Sequence, residues 1–212
     1  MSNRTGLRER KKQETRLAIS DIATRLFIER GFDNVTVAEI AEAANVAKMT
    51  VFNYFSRKED LFFDREDESR SLVREALVRR AQGRSPIAAL GGLAPDLVAQ
   101  NHPFAKFTAG TAQFWHTVKQ SNTLAARARE LRDIFANDLA EMLADSSGRP
   151  RSDPEAHLIA AMVVAAWQTA YAEGLRQQRI GAPSHAVQAA FLALLDRSFR
   201  GVAAGMKGTP YA

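Results

Sequence analysis

Residues 36–54 read TVAEIAEAANVAKMTVFNY. Thr36-Val37-Ala38-Glu39 has a hydroxyl at a helix start and a carboxylate three positions on, the spacing of a capping box. It opens a short helix whose apolar residues Val37, Ile40, Ala41 and Ala44 share one face. Asn45 follows, and asparagine tolerates the left-handed backbone of a tight turn. A second short helix spans about 47–54. Two short helices joined by a tight turn have the layout of a helix-turn-helix, whose second helix is small enough to enter the major groove of DNA. Its predicted outward positions hold Lys48, Met49, Thr50, Asn53 and Tyr54. Lysine reaches guanine edges or phosphates, asparagine pairs with adenine, and a Met or Thr methyl touches a thymine methyl. Val46, Val51, Phe52 and Phe55 are expected to face inward against the first helix.

Helical periodicity extends to both sides. From Glu9 to Arg30 the residues Ile19, Ile22, Ala23, Leu26 and Phe27 fall on one face, and Gly31 stops the helix. Ser56-Arg57-Lys58-Glu59 reads as a second capping box, opening a long helix over 57–82 with Leu61, Phe62, Leu72 and Leu77. Ser85-Pro86 starts a segment kept short by Gly91, Gly92 and Pro95. Further helices are predicted over about 102–119, 121–145, 153–180 and 184–204. Few runs alternate as a strand should, so the expected class is all-α, a three-helix helix-turn-helix head followed by a larger helical domain.

The charge is unevenly spread. The chain carries a net +5, and residues 1–16 hold Arg4, Arg8, Arg10, Lys11, Lys12 and Arg16 against Glu9 and Glu14. This end is either a solvated tail or an arm that contacts phosphates. With no cysteine, disulfides, thiol nucleophiles and cysteine-ligated metals are excluded. The N-terminus is charged and lacks the apolar core of a signal peptide. The richest apolar run, Leu158 to Ala172, contains Gln168 and lies between Glu155 and Glu173, so a buried helix is expected there rather than a membrane span.

Gly31-Phe32, Thr36-Val37-Ala38-Glu39-Ile40-Ala41, Ala44-Asn45-Val46-Ala47, Thr50-Val51-Phe52-Asn53-Tyr54-Phe55 and Lys58-Glu59-Asp60-Leu61 together resemble the DNA-binding signature of TetR-type (tetracycline-repressor-like) regulators. The resemblance covers roughly residues 9–65, with several separated elements in order and in register. It departs at three positions. The family usually has Gly where Asn45 stands, Ser where Ala47 stands and Tyr where Phe52 stands. Asn45 still makes the turn. Ala47 loses an N-cap hydroxyl worth roughly 1 kcal/mol, and Phe52 loses a hydroxyl that often reaches a phosphate.

The resemblance implies that Thr36 and Lys58 meet the DNA backbone, while Lys48, Met49, Thr50, Asn53 and Tyr54 face the groove and its walls. It further implies a C-terminal domain that dimerises through its last two long helices, about 153–180 and 184–204, and often encloses a small-molecule effector. Phe104, Phe107, Phe114, Trp115, Trp167 and Tyr171 would line such a pocket for an apolar or aromatic ligand, or else serve as core. The expected organisation is a flexible basic arm over 1–8, the DNA-binding domain over 9–65, a regulatory and dimerisation domain over 66–205 and a tail over 206–212. The expected protein is a cytoplasmic, homodimeric repressor, nucleoid-associated when bound to a palindromic operator and without a membrane partner.

Enzyme chemistry finds little support. His102, His116, His157 and His185 have no metal-ligand spacing, and no nucleophile elbow, phosphate loop or dinucleotide fingerprint occurs. No catalytic residue, metal or cofactor is expected. An architectural DNA-binding protein without ligand control remains the other reading, which the size of the C-terminal part disfavours.

Overall fold

The computed structural model describes residues 2–212, with side chains from Arg10 onward. Its elements are α1 (Ser2–Arg30), α2 (Val37–Ala43), α3 (Lys48–Tyr54), α4 (Glu66–Val78), α5 (Pro86–Gly91), α6 (Leu93–Ala99), α7 (Ala109–Gln120), α8 (Asn122–Ser146), α9 (Pro154–Arg179) and α10 (Ser184–Gly205), with 3-10 turns at Phe32–Asn34, Glu59–Leu61 and Pro103–Ala105. Among the described residues there is no strand. The chain divides into two compact units, a head of residues 1–66 and 113–129 and a body of 67–112 and 130–212. The division therefore falls inside α7 and α8.

In the head, Ile19, Ala23 and Phe27 recur at helical spacing on α1 and are buried, together with Ile40, Ala41, Val51, Phe55, Leu61 and Phe62. Val118 and Leu124, from α7 and α8, complete this core. Gly31 ends α1 with φ 84°, a left-handed conformation that costs glycine little, and its N–H returns to the Phe27 carbonyl at 2.9 Å. The backbone of residues 2–8, expected as a flexible arm, continues α1. The side chains of Arg4 and Arg8 lie outside the described residues.

Two boundaries differ from the sequence expectation. No continuous helix runs over 57–82. The Arg57 N–H and the Ser56 hydroxyl both donate to Asp60 Oδ2 at 3.1 Å, so the acceptor is Asp60 and not Glu59. A 3-10 turn results, and α4 begins only at Glu66. The intervening stretch is tied to α1, with the Ser20 hydroxyl donating to the Asp64 carboxylate and Arg16 to the Asp64 carbonyl. Likewise 102–119 is not one helix. The His102 ring accepts from the Phe104 N–H, a 3-10 turn follows, and α7 starts after Thr108, whose hydroxyl accepts from the Thr111 N–H at 3.2 Å.

The body core joins α9 and α10 to α4, α5, α6 and α8. Ile159, Ala160, Val163 and Ala170 meet Phe191, Leu195, Phe199 and Val202 in one cluster with Leu77, Leu90, Leu97, Leu139 and Leu143. By length and composition α9 could cross a bilayer, with a mean hydropathy of 1.3 over its most apolar window. Here one face of it is body core. The final residues are also fixed to the body: the Tyr211 hydroxyl donates to Asp153 Oδ2 at 2.8 Å, and the Ile87 N–H donates to the Tyr211 carbonyl at 3.1 Å.

Candidate nucleic-acid interface

The helix-turn-helix is built by local hydrogen bonds. The Glu39 N–H donates to Thr36 Oγ1 at 3.2 Å, while the Thr36 N–H and hydroxyl both donate to Glu39 Oε2 at 2.8 Å. Arg30 donates to Glu39 Oε1 at 2.6 Å. These donors, Arg30 first, hold the Glu39 carboxyl down at about 2. Asn45 takes φ 52°, and the Val46 N–H returns to the Ala41 carbonyl at 2.9 Å. Ala47 caps α3 without a side-chain bond.

Val51 and Phe55 then anchor α3 in the head core, at 1% and 2% exposure. The opposite face is open. Lys48, Met49 and Asn53 are exposed, while Thr50 and Tyr54 are half-buried. No acidic residue lies on α3. The predicted groove-facing residues are thus carried by one seven-residue helix.

Phe52 corrects the sequence reading. It was expected inward, yet it is 44% exposed, with the Lys48 ammonium 5.9 Å from its ring centroid. Residues three and four apart share a helix face, so Phe52 sits beside Met49 and Lys48. The spacing carried that signal, and its apolar character masked it.

Thr36 and Lys58 are both engaged within the head. The Thr36 hydroxyl donates to Glu39 Oε2 at 2.8 Å and accepts from the Glu39 N–H at 3.2 Å. The Lys58 ammonium donates to the Phe32 carbonyl at 2.6 Å and lies 4.2 Å from the Phe32 ring centroid and 5.5 Å from that of Phe27. Burial pushes the Lys58 pKa down, partly opposed by Asp33, Glu59 and Glu39.

The six aromatics expected around a ligand are divided between the two units and their separate cores. Phe114 and Trp115 belong to the head, where Phe114 stacks on Phe62 with centroids 4.2 Å apart and Trp115 stands edge-on to Phe114. In the body, Phe107 lies 5.0 Å from Tyr171 and 5.1 Å from Phe191, and Trp167 lies 5.5 Å from Phe191. Phe104 packs on the same core beside His102. The Phe107 ring covers Gly174 so closely that a Cβ there would come within 2.3 Å of it. Two body clefts, of about 540 and 520 Å³, are lined by Arg80, Arg84 and Pro210 and by Arg74, Met142 and Arg151 among others. Neither includes any of these aromatics.

The model of the family described as bacterial regulatory proteins, tetR family, matches residues 19–64. The HTH-type transcriptional regulator TcmR of Streptomyces glaucescens is 34% identical over 90 residues, which span 42% of this chain and 40% of that protein. The match thus covers less than half the length of that relative. Among solved structures, FadR of Thermus thermophilus, a TetR-family transcriptional repressor in complex with lauroyl-CoA, is 26% identical with a TM-score of 0.53, over 90% of this chain and 94% of that one. NalD of Pseudomonas aeruginosa, the secondary repressor of the MexAB-OprM multidrug efflux pump, is 20% identical with a TM-score of 0.54, over 91% of this chain and 97% of that one. The likeness to NalD concerns the fold alone.

Proposed function

We propose that this chain, whose residues 19–64 match the model of the tetR family, is a TetR-family regulator, a homodimeric repressor released from a palindromic operator by a small apolar or aromatic ligand. The observation that carries the DNA reading is the open face of α3, with Lys48, Met49 and Asn53 exposed behind a left-handed turn at Asn45 and no acid among them. In this reading Lys48, Met49, Thr50, Asn53 and Tyr54 meet the groove and its walls. The first turn after Thr36 and the Lys58 ammonium meet the backbone. Regulation, and not catalysis, is the family's activity.

Dimerisation is supported by a stripe on α9. Leu158, Ala161, Met162, Ala165, Thr169 and Ala172 are all exposed at helical spacing, and small residues let two helices approach closely. With α10, such a face builds a four-helix interface about a two-fold axis.

The effector reading narrows to the body aromatics Phe104, Phe107, Trp167 and Tyr171, with Phe191 added. A ligand would take the place of the Phe107 ring. Phe107 immediately precedes the cap of α7 at Thr108, and Phe114 on α7 stacks in the head core. Displacing Phe107 would therefore act on α7. The lauroyl-CoA complex of FadR, a ligand whose acyl chain is apolar, supports an effector with an apolar portion.

Selection from random duplexes, followed by footprinting and sedimentation, tests the proposal. The expected result is an inverted repeat with half-sites about one helical turn apart or somewhat more, bound by a dimer. Binding without any preferred sequence would instead favour the architectural reading.

A further inference from the structure

We infer that Phe52 and Met49 together read thymine methyl groups in the major groove, so that each operator half-site contains thymines that the protein recognises through C5-methyl contacts. This rests on the DNA-binding reading of α3 and specifies what that helix recognises. Among the described residues of the head, the exposed large hydrophobics are Leu17, Met49 and Phe52. Two of these three lie on α3. Met49 is 69% exposed and Phe52 44%, whereas Val51 and Phe55 on the same segment already supply the anchor to the core. Neither Met49 nor Phe52 is needed to hold the helix in place.

Neither side chain can donate a strong hydrogen bond. On the base edges of the major groove, the feature that rewards an apolar partner is the thymine methyl; the remaining positions present donors and acceptors. Pressing a ring and a thioether against those polar edges would desolvate them without repayment. The surroundings suit DNA: the Lys48 ammonium stands 5.9 Å from the Phe52 ring centroid, and no carboxylate on α3 repels phosphate. Residues three apart on a helix are displaced by about 4.5 Å along its axis. The rise per base is about 3.4 Å. The two side chains therefore reach the same or neighbouring base steps, so the methyls should be clustered and not scattered through the half-site.

The test replaces thymine by deoxyuridine, which removes the methyl and keeps every hydrogen-bonding group. An operator is first obtained by selection from random duplexes, and each thymine of a half-site is then replaced singly. The expected result is a loss of about four-fold in affinity at one or two neighbouring positions, the size expected for one buried methyl. In Phe52→Ala and Met49→Ala proteins, the penalty at the matching position should vanish. Both side chains are exposed, and an unchanged unfolding midpoint verifies that the variants fold; the substitutions on DNA need no variant. Specific binding in which no deoxyuridine matters overturns the inference and leaves DNA binding intact. A penalty that persists in both variants also overturns it, because another group then reads the methyl. Failure to select any sequence overturns the DNA reading and this inference with it.

Discussion

The Lys58 ammonium donates to the Phe32 carbonyl at 2.6 Å. This bond ties the start of the 3-10 turn at Glu59–Leu61 to the turn that ends α1. An ammonium has three donors and this bond uses one, so a phosphate can be held by the others. Lys58→Ala should therefore have two effects. The head should lose about 1 kcal/mol of stability with the bond and the cation–π contacts. Affinity should fall equally on operator and random DNA, with the salt slope lower by about 0.9 for one phosphate. Thermal unfolding and salt titrations measure the two separately. An unchanged slope would leave Lys58 a structural residue only.

Asn53 is exposed on the face of α3 opposite Val51. Asn53→Ala should reduce discrimination at one or two base positions by about 1–3 kcal/mol each and barely change binding to random DNA. Competition assays with single-base operator variants measure this. Equal loss on all sequences would make Asn53 a backbone contact.

Local signals made the head legible. Thr36 and Glu39 form the capping box that their spacing announces, and Asn45 takes the left-handed turn that asparagine tolerates. Where two acceptors compete, local spacing fails. Ser56 and Arg57 chose Asp60 over Glu59, and bonds from Arg16 and Ser20 to Asp64, over forty residues apart in sequence, kept the following stretch out of a helix. Phe114 and Trp115 were misgrouped for a similar reason. Periodicity assigns them to a helix, but only the tertiary stacking of Phe114 on Phe62 assigns them to the head. Tyr211 gave no periodic signal at all, because its place is set by long-range contacts, from its hydroxyl to Asp153, from the Ile87 N–H to its carbonyl and with the body core.

The exposed α9 stripe predicts the behaviour of Met162. Met162→Glu would bring two carboxylates together at a two-fold face, where neither is solvated or paired. Sedimentation should show the wild type as a dimer at micromolar concentration and the variant as a monomer with weakened operator binding. A variant that remains dimeric would remove α9 from the interface.

Gly174 and Phe107 give a prediction for the body. In Gly174→Ala the new methyl would meet the Phe107 ring at 2.3 Å, and the ring must move. Overpacking of this kind costs about 1–3 kcal/mol. Phe107→Ala should instead leave space beside Tyr171 and Phe191 and bind small aromatic probes more tightly than the wild type. Trp115 lies in the head and Trp167 in the body, so single-tryptophan proteins, Trp115→Phe and Trp167→Phe, report on each unit alone. Probe binding should alter Trp167 emission directly. It should alter Trp115 emission only if displacement of Phe107 is transmitted through α7, and a silent Trp115 would refute that route.

Tyr211 is fully buried, and its hydroxyl donates to Asp153, which also accepts from Arg149 Nε at 3.0 Å and from the Glu155 N–H at 3.0 Å. Arg149 first, then Tyr211, hold the Asp153 carboxyl below the usual range. Burial first, then the Asp153 carboxylate, pushes the Tyr211 phenol up to about 12 from 10.0. The two groups act at opposite ends of the pH scale. Asp153 is favourable to folding in its charged form, so its contribution is present above its ordinary pKa and lost as pH falls below it. Tyr211 is favourable in its protonated form, so its contribution is complete below about 10 and lost as pH rises to about 12. The unfolding midpoint should therefore hold steady through neutral pH and drop along that alkaline limb. Tyr211→Phe should flatten the limb, since no phenol remains to ionise, at the cost of one hydrogen bond at neutral pH. Tyr211→Ala, which empties the site, should cost about 3–5 kcal/mol. On titration, the tyrosinate absorbance that appears at a pH of about 12 should be missing in Tyr211→Phe. If that variant keeps the wild-type alkaline limb, the bond to Asp153 does not control it.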